Sequence, residues 1–242
     1  IVRRLVGSEM CIRDRLIVYM TSDINPGTYF LYDRDQSKFT PLARSWSKID
    51  YQGLNQMIAY DFNNRDGVPI QAFLTQAKNK SNKKTIIYPH GGPWARDYWG
   101  FEPTAQFLAE NNFNVIQMNI RGSSGYGYEF GAEVFGNFEE VLEDIYDGIE
   151  FFDAEGLIDK NNLCIYGISY GGYAATMAPI NRPDLFKCAA SDAGLYDMEA
   201  QYKRGDIRRS RGGKVFLDRA FKGKDGMLDP SQSPINLSLI HI

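Results

Sequence analysis

Apolar and polar positions change their rhythm along the chain. Near the start the apolar runs are short and β-rich: Leu16–Met20 and Thr28–Tyr32, with Asn25-Pro26-Gly27 between them as turn chemistry. Tyr32-Asp33-Arg34-Asp35 then closes a strand into a polar turn. Short strands split by turns predict the tail of an all-β unit over 16–50. From Met57 onward the strands pair differently. Met57–Asn63 and Val68–Thr75 flank Arg65-Asp66-Gly67, a hairpin signal. Thr85–Tyr88 reads as a short buried strand after the polar linker Lys78–Lys84.

The centre alternates helix and strand. Pro103 occupies the helix-opening position that tolerates proline, and that helix runs to about Asn111. Val115–Ile120 follows as a strand. Asn137 with Glu140 three residues on predicts a capped long helix, whose apolar positions Phe138, Val141, Leu142, Ile145, Ile149 and Phe152 keep the helical period up to Gly156. Asn162–Tyr166, Tyr170–Ile180 and Cys188–Ser191 complete a strand, helix, strand succession. This order requires a mostly parallel sheet with helices on both faces, an α/β architecture.

Composition narrows the function classes. Hydrophobic residues make up 43% of the 242 and charged residues 24%, the mixture of a folded globular chain. The formal net charge of −3 supplies no basic field for nucleic acid, and Arg204 to Arg211 reads as a solvated loop. Cys164 and Cys188 sit in apolar runs and read as small core residues. Two histidines, His90 and His241, make a zinc site improbable, and no cofactor is indicated. No apolar run reaches the roughly 18–20 residues that span a bilayer. The sequence assigns neither a compartment nor an oligomeric state. The opening IVRRLVGSEMCIRDR (1–15) and the closing tract 237–242 join poorly to their neighbours. Both resemble translated adapter read-through and are read as non-native tails.

The chemistry concentrates in Gly167-Ile168-Ser169-Tyr170-Gly171-Gly172, a G-x-S-x-G between a predicted strand and a predicted helix. That context defines a nucleophile elbow, in which a tight turn lifts the Ser169 hydroxyl above the sheet. The helix from Tyr170 points its unpaired N–H groups at a reacting carbonyl, so the Tyr170 N–H is a candidate oxyanion donor. His90-Gly91-Gly92-Pro93 follows a strand at the place where this fold supplies a second donor, and Gly92 N–H is assigned that role. His90 precedes the nucleophile, whereas the general base of such a fold follows it, so His90 is not the base.

Three segments occur in order: His90-Gly91-Gly92-Pro93-Trp94, Asn119-Ile120-Arg121-Gly122-Ser123-Ser124-Gly125-Tyr126-Gly127, and Gly167-Ile168-Ser169-Tyr170-Gly171-Gly172-Tyr173. Together they resemble the catalytic domain of the prolyl oligopeptidase family, nearest its acylaminoacyl-peptidase and dipeptidyl-peptidase branches, over roughly Tyr51 to Asn236. The resemblance implies an α/β-hydrolase domain over 51–236, incomplete at its C-terminus and preceded over 16–50 by the end of a β-propeller. It implies cleavage of short peptides, with the propeller restricting entry; the charge balance and the short apolar runs argue for no nucleic-acid or membrane partner. The resemblance also implies that Leu195 and Met198 wall the pocket for the residue before the scissile bond. An esterase or lipase of the same fold, or a non-catalytic relative, are the alternatives.

The resemblance stops short of a full triad. The acid and base are expected in the order Ser, Asp, His. After Ser169 the only histidine is His241, inside the tail. Asp206, Asp218, Asp225 and Asp229 fall in what reads as a loop or insertion, and none follows an apolar strand. The acid and base are therefore expected to be missing from these 242 residues, leaving them with little turnover.

Overall fold

A computed structural model describes residues 14–79, 81, 83–132, 135–223 and 225–237. The chain divides into two compact units. The first comprises Ile1–Ile58, Thr75–Asn82 and Tyr98–Phe113, and the second Ala59–Leu74, Lys83–Asp97 and Asn114–Ile242.

The first unit carries a three-stranded antiparallel sheet of β1 (Arg15–Ser22), β2 (Asn25–Asp33) and β3 (Lys38–Arg44). The turn expected at Asn25-Pro26-Gly27 lies two residues earlier, because Ser22 pairs with Asn25 across the ladder. The Asn25 side chain accepts from Gly27 N–H and so holds this stretch extended at the start of β2. β3 was not anticipated; all seven of its residues are exposed, so it lacks the buried alternation that marks a strand. In the same unit α1 (Pro103–Glu110) opens at Pro103 as expected and is capped by Glu102. Its buried Gln106 donates to the carbonyls of Asp23 and Asn55 and accepts from Asn55 N–H.

A six-stranded sheet has the order β4 (Met57–Asn63), β5 (Pro69–Thr75), β7 (Asn114–Asn119), β6 (Thr85–Ile87), β8 (Leu163–Ile168), β9 (Phe186–Asp192). β6 runs parallel to β7 and β8, and β8 parallel to β9. Every residue of β7 is buried, as helices on both faces of a parallel sheet require. β9 buries only Phe186. Cys164 and Cys188 are register partners on β8 and β9 and form a disulfide, which corrects their reading as simple core residues. Facing each other in adjacent strands brings their sulfurs together, and Cys188 is exposed.

The helices largely follow the predicted periodicity. α3 (Glu143–Ala154) starts later than expected, although Glu140 N–H does donate to Asn137 Oδ1. The N–H of Phe138 is diverted to Gln232 Oε1, and a short 3₁₀ turn, Glu140–Leu142, precedes the regular helix. Gly156 then ends the segment at a φ of +67°, the left-handed geometry expected there. α4 (Tyr170–Asn181) agrees with the predicted helix. α2 (Tyr128–Ala132), α5 (Met198–Arg204), α6 (Arg211–Phe221) and α7 (Pro234–Leu237) were not foreseen. Asp197 and Ser210 cap α5 and α6, and Met198, Leu217, Ala220 and Phe221 bury their inner faces. The cationic stretch read as a loop therefore straddles a helix end and a helix start.

Candidate active site

The strand β8 leads straight into α4, and Ser169 is the joint between them. Its backbone lies at φ 61°, ψ −120°, a region that costs a non-glycine residue of order 1–3 kcal/mol. Two hydrogen bonds hold it there. Ser169 N–H donates to Asp192 O on β9 at 3.0 Å, and Ser169 O accepts from Tyr173 N–H at 3.0 Å, the first turn of α4. The result is an exposed residue with a buried neighbour on its C-terminal side, Tyr170, whose hydroxyl donates to Phe138 O.

Two glycines make the turn possible by close approach. A Cβ on Gly167 would stand 2.2 Å from Gly171 O, and a Cβ on Gly171 would stand 2.2 Å from Pro89 O. Only bare backbone fits where strand, helix and the 89–92 loop meet. That loop faces Ser169: a Cβ on Gly91 would lie 3.5 Å from Ser169 Cβ and 4.0 Å from Ser169 Oγ. Tyr170, as the first residue of α4, has an N–H with no partner inside the helix.

His90 is half-buried in this junction. Nδ1 lies 2.7 Å from Gly91 O and Nε2 lies 2.8 Å from Ser123 Oγ. Burial is the main cause holding its pKa below the ordinary histidine value; the Arg96 charge adds to this and the Gly91 carbonyl opposes it. A neutral ring carries one N–H, which serves either the Gly91 carbonyl from Nδ1 or Ser123 Oγ from Nε2. The Ser123 hydroxyl itself donates to Ile120 O at 2.6 Å, which leaves its oxygen to accept from the ring. Both ring nitrogens thus face groups other than Ser169.

The Arg121–Gly127 segment is braced beneath this loop. Arg121 is 6% exposed, and Asp144, on α3, is fully buried. Arg121 donates to both Asp144 oxygens from Nε, and its Nη2 lies 2.8 Å from Oδ1. Asp144 also accepts from Arg121 N–H and from Asn64 Nδ2. Nη1 of Arg121 reaches Asp66 in the β4–β5 hairpin at 3.0 Å. Arg96 stacks 4.4 Å over the Tyr126 ring and donates to its hydroxyl, which fastens the 93–96 loop to the same segment.

The chain belongs to the prolyl oligopeptidase family. The sequence profile of that family matches residues 99–213. Dipeptidyl peptidase family member 6 of Caenorhabditis elegans is 30% identical over 214 residues, covering 78% of this chain and 29% of that protein. Dipeptidyl aminopeptidase BIII of Pseudoxanthomonas mexicana is 29% identical over 189 residues, covering 74% of this chain and 27% of that protein. Among solved structures, the acylaminoacyl peptidase of Pyrococcus horikoshii superposes with a TM-score of 0.74 at 24% identity, over 96% of this chain and 37% of its own. A puromycin hydrolase gives 0.76 at 18%, over 93% and 35%. These likenesses establish the α/β-hydrolase fold, and the family is one of serine peptidases acting on peptides. The chain spans under a third of the length of the two curated relatives.

The remaining expected site residues are placed as follows. Leu195 lines a cleft of about 330 Å³ that begins at Gly194, whereas Met198 is 3% exposed and stands in the core. Asp206 accepts from Ile207 N–H, Asp218 pairs with Lys222 and Tyr202, Asp225 accepts from Met227 N–H, and Asp229 from Ser231. Each carboxylate is spent locally. Among the described residues His90 is the single histidine, and His241 lies outside them. Two features escaped sequence reasoning. The Ser123–His90 bond joins residues 33 apart, with no local signal. The Cys164–Cys188 pair needed the strand register, which spacing alone does not provide. No helix among the described residues is long and apolar enough to cross a membrane.

Proposed function

We propose that Ser169 is the nucleophile of a serine peptidase that cleaves short peptides through an acyl-enzyme intermediate. Attack of Ser169 Oγ on the scissile carbonyl places negative charge on the carbonyl oxygen. The backbone N–H groups of Tyr170 and Gly92 stabilise that charge, and a donor of this type lowers the barrier by about 3–4 kcal/mol. Leu195 offers an apolar wall to the residue before the scissile bond, and Met198 supports that wall from the core. Proton transfer is assigned to an acid and a base outside residues 14–237, so these residues alone turn over little. The observation that carries the reading is the exposed Ser169 held at a strained φ against the Gly91–Gly92 loop. The test is fluorophosphonate labelling of the full-length protein that carries this chain. Ser169→Ala abolishes labelling and hydrolysis of peptide p-nitroanilides; equal labelling of parent and variant removes Ser169 from the role.

A further inference from the structure

The catalytic geometry leaves unused the cationic segment after the elbow. Lys203 to Arg219 holds seven cations and two carboxylates in a chain whose formal net charge is −3. α5 ends on Lys203 and Arg204, a short 3₁₀ turn (Ile207–Arg209) reverses the chain, and α6 begins at Arg211. The reversal gathers Lys203, Arg204, Gly205, Arg208, Arg209 and Lys214 around an open cleft of about 300 Å³. Five of these six residues are cationic and none is acidic.

One nearby carboxylate, Glu199, pairs with Lys203 of the cleft, and the others are engaged elsewhere. Asp206 accepts from Ile207 N–H, and Asp218 pairs with Lys222 and Tyr202. Among the described residues, Arg204, Arg209 and Lys214 have no carboxylate within ion-pair distance. Arg208 is oriented in advance, stacked over Tyr202 and donating to the carbonyls of Tyr202 and Lys203. Like charges brought together without counter-charge repel, and converging guanidinium groups match the planar geometry of a carboxylate. Such a cleft concentrates anionic ligands from solution.

The cleft adjoins a second one. The 330 Å³ cleft that begins at Gly194 shares Arg204 and Gly205 with it. Gly194 abuts the elbow helix, where a Cβ on it would lie 2.9 Å from the carbonyl carbon of Gly172. Asp192, two residues earlier, accepts the Ser169 N–H. A peptide whose residue before the scissile bond sits against Leu195, as proposed above, lies in the cleft that adjoins the cations.

We propose that this basic cleft is a substrate subsite for a carboxylate of the peptide, so that the enzyme favours acidic peptides. The inference rests on the peptidase reading above. In the full-length protein, peptides carrying Glu at successive positions are compared with their Gln twins, each as free acid and as C-terminal amide. A Glu-dependent gain marks a side-chain carboxylate, and a gain of acid over amide marks the chain terminus. The expected gain in kcat/KM is about fivefold, and it weakens in 0.5 M salt, as exposed charge pairs do. Arg209→Gln/Lys214→Gln, at two exposed positions, removes the gain and leaves the amidated Gln peptide unchanged. Equal rates for all peptides in the parent, or a gain that survives the double substitution, overturns the subsite. Anisotropy of the same labelled peptides on the Ser169→Ala protein separates this from the peptidase reading. Selective binding of the acidic peptides supports the cleft even where no peptide is hydrolysed. Equal binding of acidic and neutral peptides overturns it.

Discussion

Gly171→Ala tests the geometry of the site at its tightest point. The new methyl would stand 2.2 Å from Pro89 O and 3.2 Å from His90 O. Ordinary van der Waals contact begins at 3.4 Å, and both obstacles are backbone atoms that cannot rotate aside. Either the 89–92 loop or the start of α4 must retreat by about 1 Å, a displacement that costs a catalytic constellation on the order of 100-fold. The two proposed oxyanion donors lie on opposite sides of that contact, Gly92 on the loop and Tyr170 on the helix. Separating them removes part of a stabilisation of about 3–4 kcal/mol. The fold is expected to survive, since overpacking costs roughly 1–3 kcal/mol. In the full-length protein, kcat for a peptide p-nitroanilide and the rate of fluorophosphonate labelling both fall about 100-fold. Circular dichroism reports an intact fold. The control is Gly212→Ala, where nothing lies within 4 Å of the added methyl and helix propensity improves. A Gly171→Ala protein that is folded and within threefold of the parent in both assays refutes the argument that this contact sets the oxyanion geometry.

Two further outcomes follow from the buried polar groups. Asp144→Ala leaves the buried Arg121 guanidinium with only the exposed Asp66 as counter-charge and lowers stability by up to about 3–5 kcal/mol, read from the midpoint of urea unfolding; an unshifted midpoint would show that the pair is not buried as described. For His90, the folded pKa lies below the ordinary 6.5, so below that pH the unfolded chain binds a proton that the folded chain resists. Stability from this group is therefore present above about 6.5 and is lost as pH falls through the window beneath it. Melting temperatures between pH 7.5 and 5 should drop more steeply in the parent than in His90→Gln, and parallel curves would contradict the assignment.

Much of the fold and the centre of the site were legible because they are local. The elbow needs only a strand, a glycine-flanked serine and a helix in immediate succession, and all three lie within 163–181. Apolar periodicity marked the α3 register, and Pro103 the opening of α1, because helix geometry is repeated every turn. Pairings that depend on distant residues were hidden. β3 and the cationic helices α5 and α6 carry weak patterns, and their placement comes from caps and from a few inward apolar residues.

By itself, then, the chain's order of residues determined the α/β class, the strand–serine–helix turn at Ser169 and the glycine loop that faces it, since each is written in neighbours along the backbone. Tertiary structure alone decided that His90 is spent on Ser123 and Gly91, that Cys164 meets Cys188, and that five cations line one cleft. Those arrangements depend on strand order, burial and chain reversal, which bring together groups whose separation in sequence says nothing of their distance in space.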